Sequence, residues 1–104
     1  MSITGERYVV AFDALDQQVN FEGILRTQNR RDLNELKDYL VSIHDRLDGS
    51  MRLNFRKLRY INAAGLRTIV EFLKYAKQSE RIAIRLIGSK VITWEVKTLP
   101  VLPR

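Results

Sequence analysis

Cysteine is absent from the 104 residues, so disulfides, thiolate zinc sites and a cysteine nucleophile are all excluded. A reducing compartment is compatible with that absence without being proved by it. Histidine occurs once, as His44, and one imidazole with no thiolate or second histidine makes a metal site a poor reading. Both prolines, Pro100 and Pro103, fall at the end of the chain, so none breaks a helix or strand before them. No apolar run approaches the ~20 residues of a membrane span, and MSITGERYVVAF has neither an apolar h-region nor a cleavage pattern. The expectation is a soluble, cytoplasmic protein. No repeat, low-complexity tract or linker divides residues 1–104, which read as a single domain with an irregular tail over 100–104. A Gly-rich phosphate loop, a nucleophile elbow and metal-ligand spacing are missing too, so no cofactor, no metal and no enzymatic activity are expected.

What is present is an ordinary globular composition, 45% hydrophobic and 29% charged, with a net charge of +6 that is unevenly spread. Residues 1–50 carry six Lys/Arg against nine Asp/Glu, a balance of −3, whereas residues 51–104 carry twelve against three, a balance of +9. Such asymmetry fits an acidic partner, nucleic acid or an anionic membrane surface, and equally a solubility role. A specific nucleic-acid function is not expected, because no aromatic RNA-binding signature or recognition-helix pattern accompanies the charge.

Tyr8–Ala14 is apolar and β-prone, and Asp16-Gln17 reads as a turn into Val19–Leu25, where alternation predicts the second arm of a hairpin, blurred at Gly23-Ile24. Asn29 or Thr27 is placed to cap a helix whose stripe is Leu33, Leu36, Leu40, Ile43 and Leu47, ended by Asp48-Gly49-Ser50. Met51–Phe55 reads as a short strand, followed by a basic loop. Asn62 is a plausible N-cap for a second helix with an apolar stripe of Leu66, Ile69, Val70, Leu73 and Ala76, leaving Phe72 and Tyr75 outside it. Ile82–Ile87 predicts a strand, and Ser89 caps a last helix through about Thr98. The order β-β-α-β-α-β-α predicts an α/β fold with a mixed sheet, an antiparallel hairpin followed by parallel crossovers.

The stretch Leu53–Leu66, LNFRKLRYINAAGL, carries the strongest functional signal: strand, basic residues, then a helix start at Asn62-Ala63-Ala64-Gly65-Leu66. A helix start offers unpaired N–H groups and a partial positive charge to an anion or a partner's acceptors. Element order and this phrase together resemble the STAS domain of bacterial anti-sigma factor antagonists. In that family an Asp-Ser-[Ser/Thr/Ala]-Gly-Leu motif opens the helix, and a kinase phosphorylates the serine. Here Asn62 replaces the acidic residue and Ala63 the phospho-acceptor; alanine has no hydroxyl, so Ala63 is a degenerate phosphorylation position.

The resemblance implies a regulatory module that binds a protein partner, an anti-sigma factor, serine kinase or related ATPase, through Asn62, Ala63, Ala64 and Gly65. Arg56, Lys57, Arg59 and Arg67 are the basic residues expected to steer that partner. The alternative it implies is an accessory subunit on the cytoplasmic ATPase of an ABC-type lipid transporter. The oligomeric state is left open, a homodimer included. Gly65 reads either as a point of close partner approach or as a packing residue, His44 as a boundary or surface residue, and Trp94 as a contact residue or a cover for the core edge. Asp13, Asp16 and Glu22 are better explained by turn and solvent-face roles than as a catalytic pair.

Overall fold

Residues with branched and aromatic side chains dominate both arms of the first hairpin, and in the computed structural model, which describes residues 2–88, they pair as β2 (Tyr8–Asp13) and β3 (Gln18–Leu25). The turn between them is closed by the Asp13 carboxylate, which accepts from the Leu15 N–H at 3.0 Å, and by Gln17 in the left-handed region at φ +50°. Before them lies β1 (Ser2–Thr4), an antiparallel edge strand that the sequence reading lacks. Three residues are too few to show a period.

Asn29, not Thr27, caps α1 (Arg30–Arg46), its side chain accepting from the Arg31 and Asp32 N–H groups. Thr27 accepts from the Asn29 N–H and donates to Asp32, bracing the cap. The buried face of α1 is Leu36, Tyr39, Leu40, Ile43 and His44; Leu33 and Leu47, at the ends of the predicted stripe, are only half-buried.

The largest departure from expectation is β4 (Ser50–Ile61), which takes in both the predicted short strand and the predicted basic loop. Alternation buries Met51, Leu53 and Phe55, then the interval lengthens to three, burying Leu58 and Ile61. The register explains this. Between Asn20↔Asn54 and Glu22↔Lys57 one residue of β3 faces two of β4, and between Gly23↔Leu58 and Ile24↔Tyr60 the β4 residue Arg59 has no counterpart. Two bulges in succession give β4 two extra residues, and a strand with a broken period resembles a loop.

The crossover through α1 makes β4 parallel to β3, and α2 (Ala63–Ser79) returns the chain to β5 (Ala83–Ile87), parallel to β4. The sheet runs β1-β2-β3-β4-β5, so the expected α/β class with a mixed sheet holds, with the order β-β-β-α-β-α-β. The predicted last helix, Trp94 and the tail lie outside the described residues. Among the described residues no helix is long and apolar enough to cross a membrane.

Both helices cover one sheet face. Val10, Val19, Phe21, Leu25, Leu53 and Leu58 have no exposure and meet Leu40 and Phe72 of the helices, each large side chain contributing about 1.5–3 kcal/mol by leaving water. Phe72 was expected outside the α2 stripe, yet it is fully buried, because α2 packs against both the sheet and α1 and its buried arc is wider than one stripe. His44, expected at a boundary or on the surface, is also fully buried.

Gly23 sits at the second bulge with φ +92°, and an added Cβ would lie 2.2 Å from the Arg7 carbonyl oxygen, which accepts from the Ile24 N–H at 2.9 Å. Neither the dihedral nor the space admits a side chain. Gly23→Ala is expected to lower stability by about 2 kcal/mol or more, measured by urea denaturation.

Candidate functional site

The helix start is built by Asn62, which the sequence reading placed among partner-binding residues. Its backbone is extended (φ −83°, ψ 173°), its Oδ1 accepts from the Gly65 N–H at 2.9 Å, and its Nδ2 donates to the Thr27 carbonyl at 3.0 Å. Its own N–H donates to the Leu25 carbonyl at 3.0 Å. One amide therefore caps α2 and fastens it to the end of β3. A carboxylate in this place would cap equally well but has no hydrogen to give Thr27.

Gly65 is buried, and a Cβ there would lie 2.4 Å from Cδ2 of Leu25, itself fully buried. Of its two readings the structure supports packing: Gly65 lets α2 sit down on the sheet and supports the surface from beneath without lining it.

What the tip does present is Ala63, exposed, with Ala64 half-buried and Arg67 exposed. These three form one wall of an open groove whose other wall is Gln28, Arg30 and Leu33 from the start of α1. Parallel crossovers bring both helix N-termini to the same end of the sheet, so the positive ends of two helix dipoles converge here; Asn29 takes up the Arg31 and Asp32 N–H groups of α1, whose first turn also holds the Asp32 carboxylate, and Asn62 takes up that of Gly65. α2 has no carboxylate in its first turn to offset that potential. Thr68, one turn on, donates its hydroxyl to the Ala64 carbonyl at 3.0 Å. Glu71 pairs with Lys37 of α1 at 3.5 Å. The walls offer small side chains, two guanidinium groups and amides, a surface suited to close backbone approach and hydrogen bonding.

Arg56, Lys57 and Arg59 do not belong to this groove. They are exposed along β4, because the bulges turn them away from the helix face, and the expected basic loop beside the tip is a strand. Conversely, Gln28, Arg30 and Leu33 were missed. The signal that reaches them is topological: two successive β-α-β crossovers must place the starts of both helices side by side.

At the opposite end the structure brings together a cluster with no sequence motif. His44 Nδ1 is 2.9 Å from Asp45 Oδ1, and because an ionised carboxylate only accepts, Nδ1 carries the hydrogen. His44 Nε2 is 3.3 Å from Ser79 Oγ, and the Tyr75 hydroxyl donates to both Asp45 oxygens at 2.8 and 3.0 Å. Serine, histidine and aspartate thus stand in the order of a hydrolase relay. The surroundings differ: His44 is sealed from solvent, Ser79 Oγ donates to the Ala76 carbonyl at 2.9 Å, and the C-terminal turn of α2 projects carbonyls where an oxyanion would need N–H donors. Arg81 completes the cluster by donating to the His44 and Leu47 carbonyls. The group ties the ends of α1 and α2 together. Among the described residues no set of three or more His, Asp and Glu side chains could hold a metal ion.

Hydrogen bonds from His44 and Tyr75 hold the Asp45 carboxyl below its ordinary value of 3.8, and the bond to Asp45 raises the Tyr75 hydroxyl above its own.

Neither a protein-family model nor a curated protein matches the sequence. Among solved structures the fold is similar to a chain in the crystal structure of the diguanylate cyclase SiaD in complex with its activator SiaC from Pseudomonas aeruginosa. The TM-score is 0.63 at 11% identity, over 86% of this chain and 99% of that one. The likeness is one of fold.

Asn62→Ala is expected to cost about 1–2 kcal/mol by denaturant unfolding, while Asn62→Asp, which keeps the acceptor for Gly65 but sets a carboxylate against the Thr27 carbonyl, recovers only part of the loss. For Asp45, the lowered folded-state value means a contribution to stability that is complete above the ordinary carboxylate pKa and disappears as pH falls through the folded value. Tyr75→Phe removes one of the two donors, so its stability is expected to fall less between about pH 5 and pH 2 than that of the natural chain, in parallel thermal melts.

Proposed function

We propose that this chain is a non-enzymatic regulatory module of the STAS type, which binds a protein partner in the groove between the starts of α2 and α1. The partner class that the resemblance favours is an anti-sigma factor, a serine kinase or a related ATPase in the cytoplasm. One observation carries the reading: an exposed, hydroxyl-free Ala63 at the rim of a groove walled by small and cationic side chains. Such a surface can be gripped but not switched by phosphorylation at its tip. The structural neighbour supports a partner-binding role, since its crystal holds an activator with the enzyme it activates.

Binding would act by occupancy. A partner held in the groove is withdrawn from its other target, with affinity set by contacts around Ala63 and Ala64 and approach steered by Arg30 and Arg67. A photo-crosslinking residue at position 63 is expected to capture, in extracts of the source organism, a signalling protein identifiable by mass spectrometry. The same residue at position 77, near the far end of α2, should not capture it. Ala63→Arg is expected to abolish co-purification of that protein while leaving the melting temperature within a few degrees. Equal recovery with both variants would overturn the reading. Ala63→Ser, incubated with a captured serine kinase and ATP, should gain a phosphate that the natural chain never accepts at this position.

A further inference from the structure

The sheet face opposite the helices has no cover among the described residues, and its charge is unevenly arranged. Its carboxylates, Asp13 and Glu22, lie on β2 and β3. β4 and β5 carry Arg52, Arg56, Lys57, Arg59 and Arg85, all exposed, and no carboxylate. Arg52 and Arg85 are register partners on adjacent strands about 4.8 Å apart, so two guanidinium groups project side by side from one face. Among the described residues none of these five cations makes an ion pair within 4.0 Å; the pairs that form are Lys37–Glu71, His44–Asp45 and Arg81–Asp48.

Like charges at paired positions of a sheet disfavour the fold. Among the described residues Arg52 has Gln18 as its register partner on the other side, so no carboxylate stands opposite the Arg52–Arg85 pair, and an arrangement that breaks a local rule of stability marks a surface completed from outside. We propose that the β4–β5 half of this face is a second docking surface, distinct from the helix groove, for a carboxylate-rich segment of a partner protein. The paired guanidinium groups offer parallel N–H donors to a carboxylate, and Arg56 and Arg59 continue the positive charge along β4, where Lys57 stands in register with Glu22 of β3. Between them the Asn54 side chain donates to Asn20 at 3.0 Å, an amide row that adds polar contact without charge.

Two other occupants fit less well. A single-stranded nucleic acid needs aromatic rings to stack on, and among the described residues the one exposed ring, Tyr60, stands at the end of the strip with the Arg26 guanidinium 5.7 Å from its centre. The chain's own residues 89–104 carry three cations and one carboxylate, the same sign as the strip.

The test compares the natural chain with Arg52→Gln/Arg85→Gln and with Lys74→Gln/Lys77→Gln, which has the same net charge but alters the outer side of α2. The probes are a fluorescein-labelled ten-residue oligoglutamate and a ten-nucleotide oligothymidylate, followed by anisotropy at about 150 mM salt. The oligoglutamate is expected to bind the natural chain and the α2 variant alike, and about tenfold more weakly to the sheet variant. The sheet variant is also expected to melt roughly 2–4 °C higher, because the like-charge pair is gone. No binding by the natural chain, or equal loss in both variants, would overturn the proposal. So would a lower melting temperature for the sheet variant, or tighter binding of oligothymidylate that the sheet variant loses. A change of sedimentation state confined to the sheet variant would assign the strip to a second copy of the chain and overturn it as well.

Discussion

Two extra residues in β4 govern the rest of the structure. In an unbroken strand the alternation that buries Met51, Leu53 and Phe55 would next turn Lys57 and Arg59 toward the core, at a cost of several kcal/mol per buried ion. The two bulges shift the phase twice, so that Leu58 and Ile61 go inward and the cations go out. Phe21 of β3 stacks on Phe55 at the first bulge, with ring centres 4.7 Å apart, and Gly23 makes room at the second. Only with this phase does Asn62 arrive beside the carbonyls of Leu25 and Thr27, where it can cap α2.

The same shift separates what lies next to one another in sequence. Residues 56–59 and residues 62–65 look like one basic, partner-facing stretch, yet β4 delivers the first group along the strand and the second to the top of the helices. The molecule therefore has two unlike surfaces: a groove of small residues where helix N-termini converge, and a cationic strip on the open sheet. At the helix tip, Asn62 and Gly65 build the geometry and Ala63 and Ala64 are what it displays.

The fold class was legible because its cues are local and strong: the leucine spacing of α1, the Asn29 and Asn62 caps, the apolar β-prone run of β2 and the alternation of β3. What was not legible depends on pairing. β1 is too short for a pattern, and the bulges of β4 exist only relative to β3. The burial of His44 and Phe72 follows from α1 lying against α2, which a one-helix projection cannot show. At the candidate site, the tip was found from its residues, while the opposing wall from α1 required the crossover topology. The strand cations show the converse, in which nearness in sequence stood in for nearness in space: residues 56–59 run along β4, outside the lining of the groove.

Arg81 closes the end of α1 from beyond the end of α2, donating to the carbonyls of His44 and Leu47. The last turn of the first helix thus takes its finishing hydrogen bonds from a residue 37 positions later than His44. During synthesis, an amino-terminal half emerging alone from the ribosome would leave these acceptors to water. Completion of that half waits on the second crossover, which makes folding of the described region a concerted event and not a sequence of independent steps.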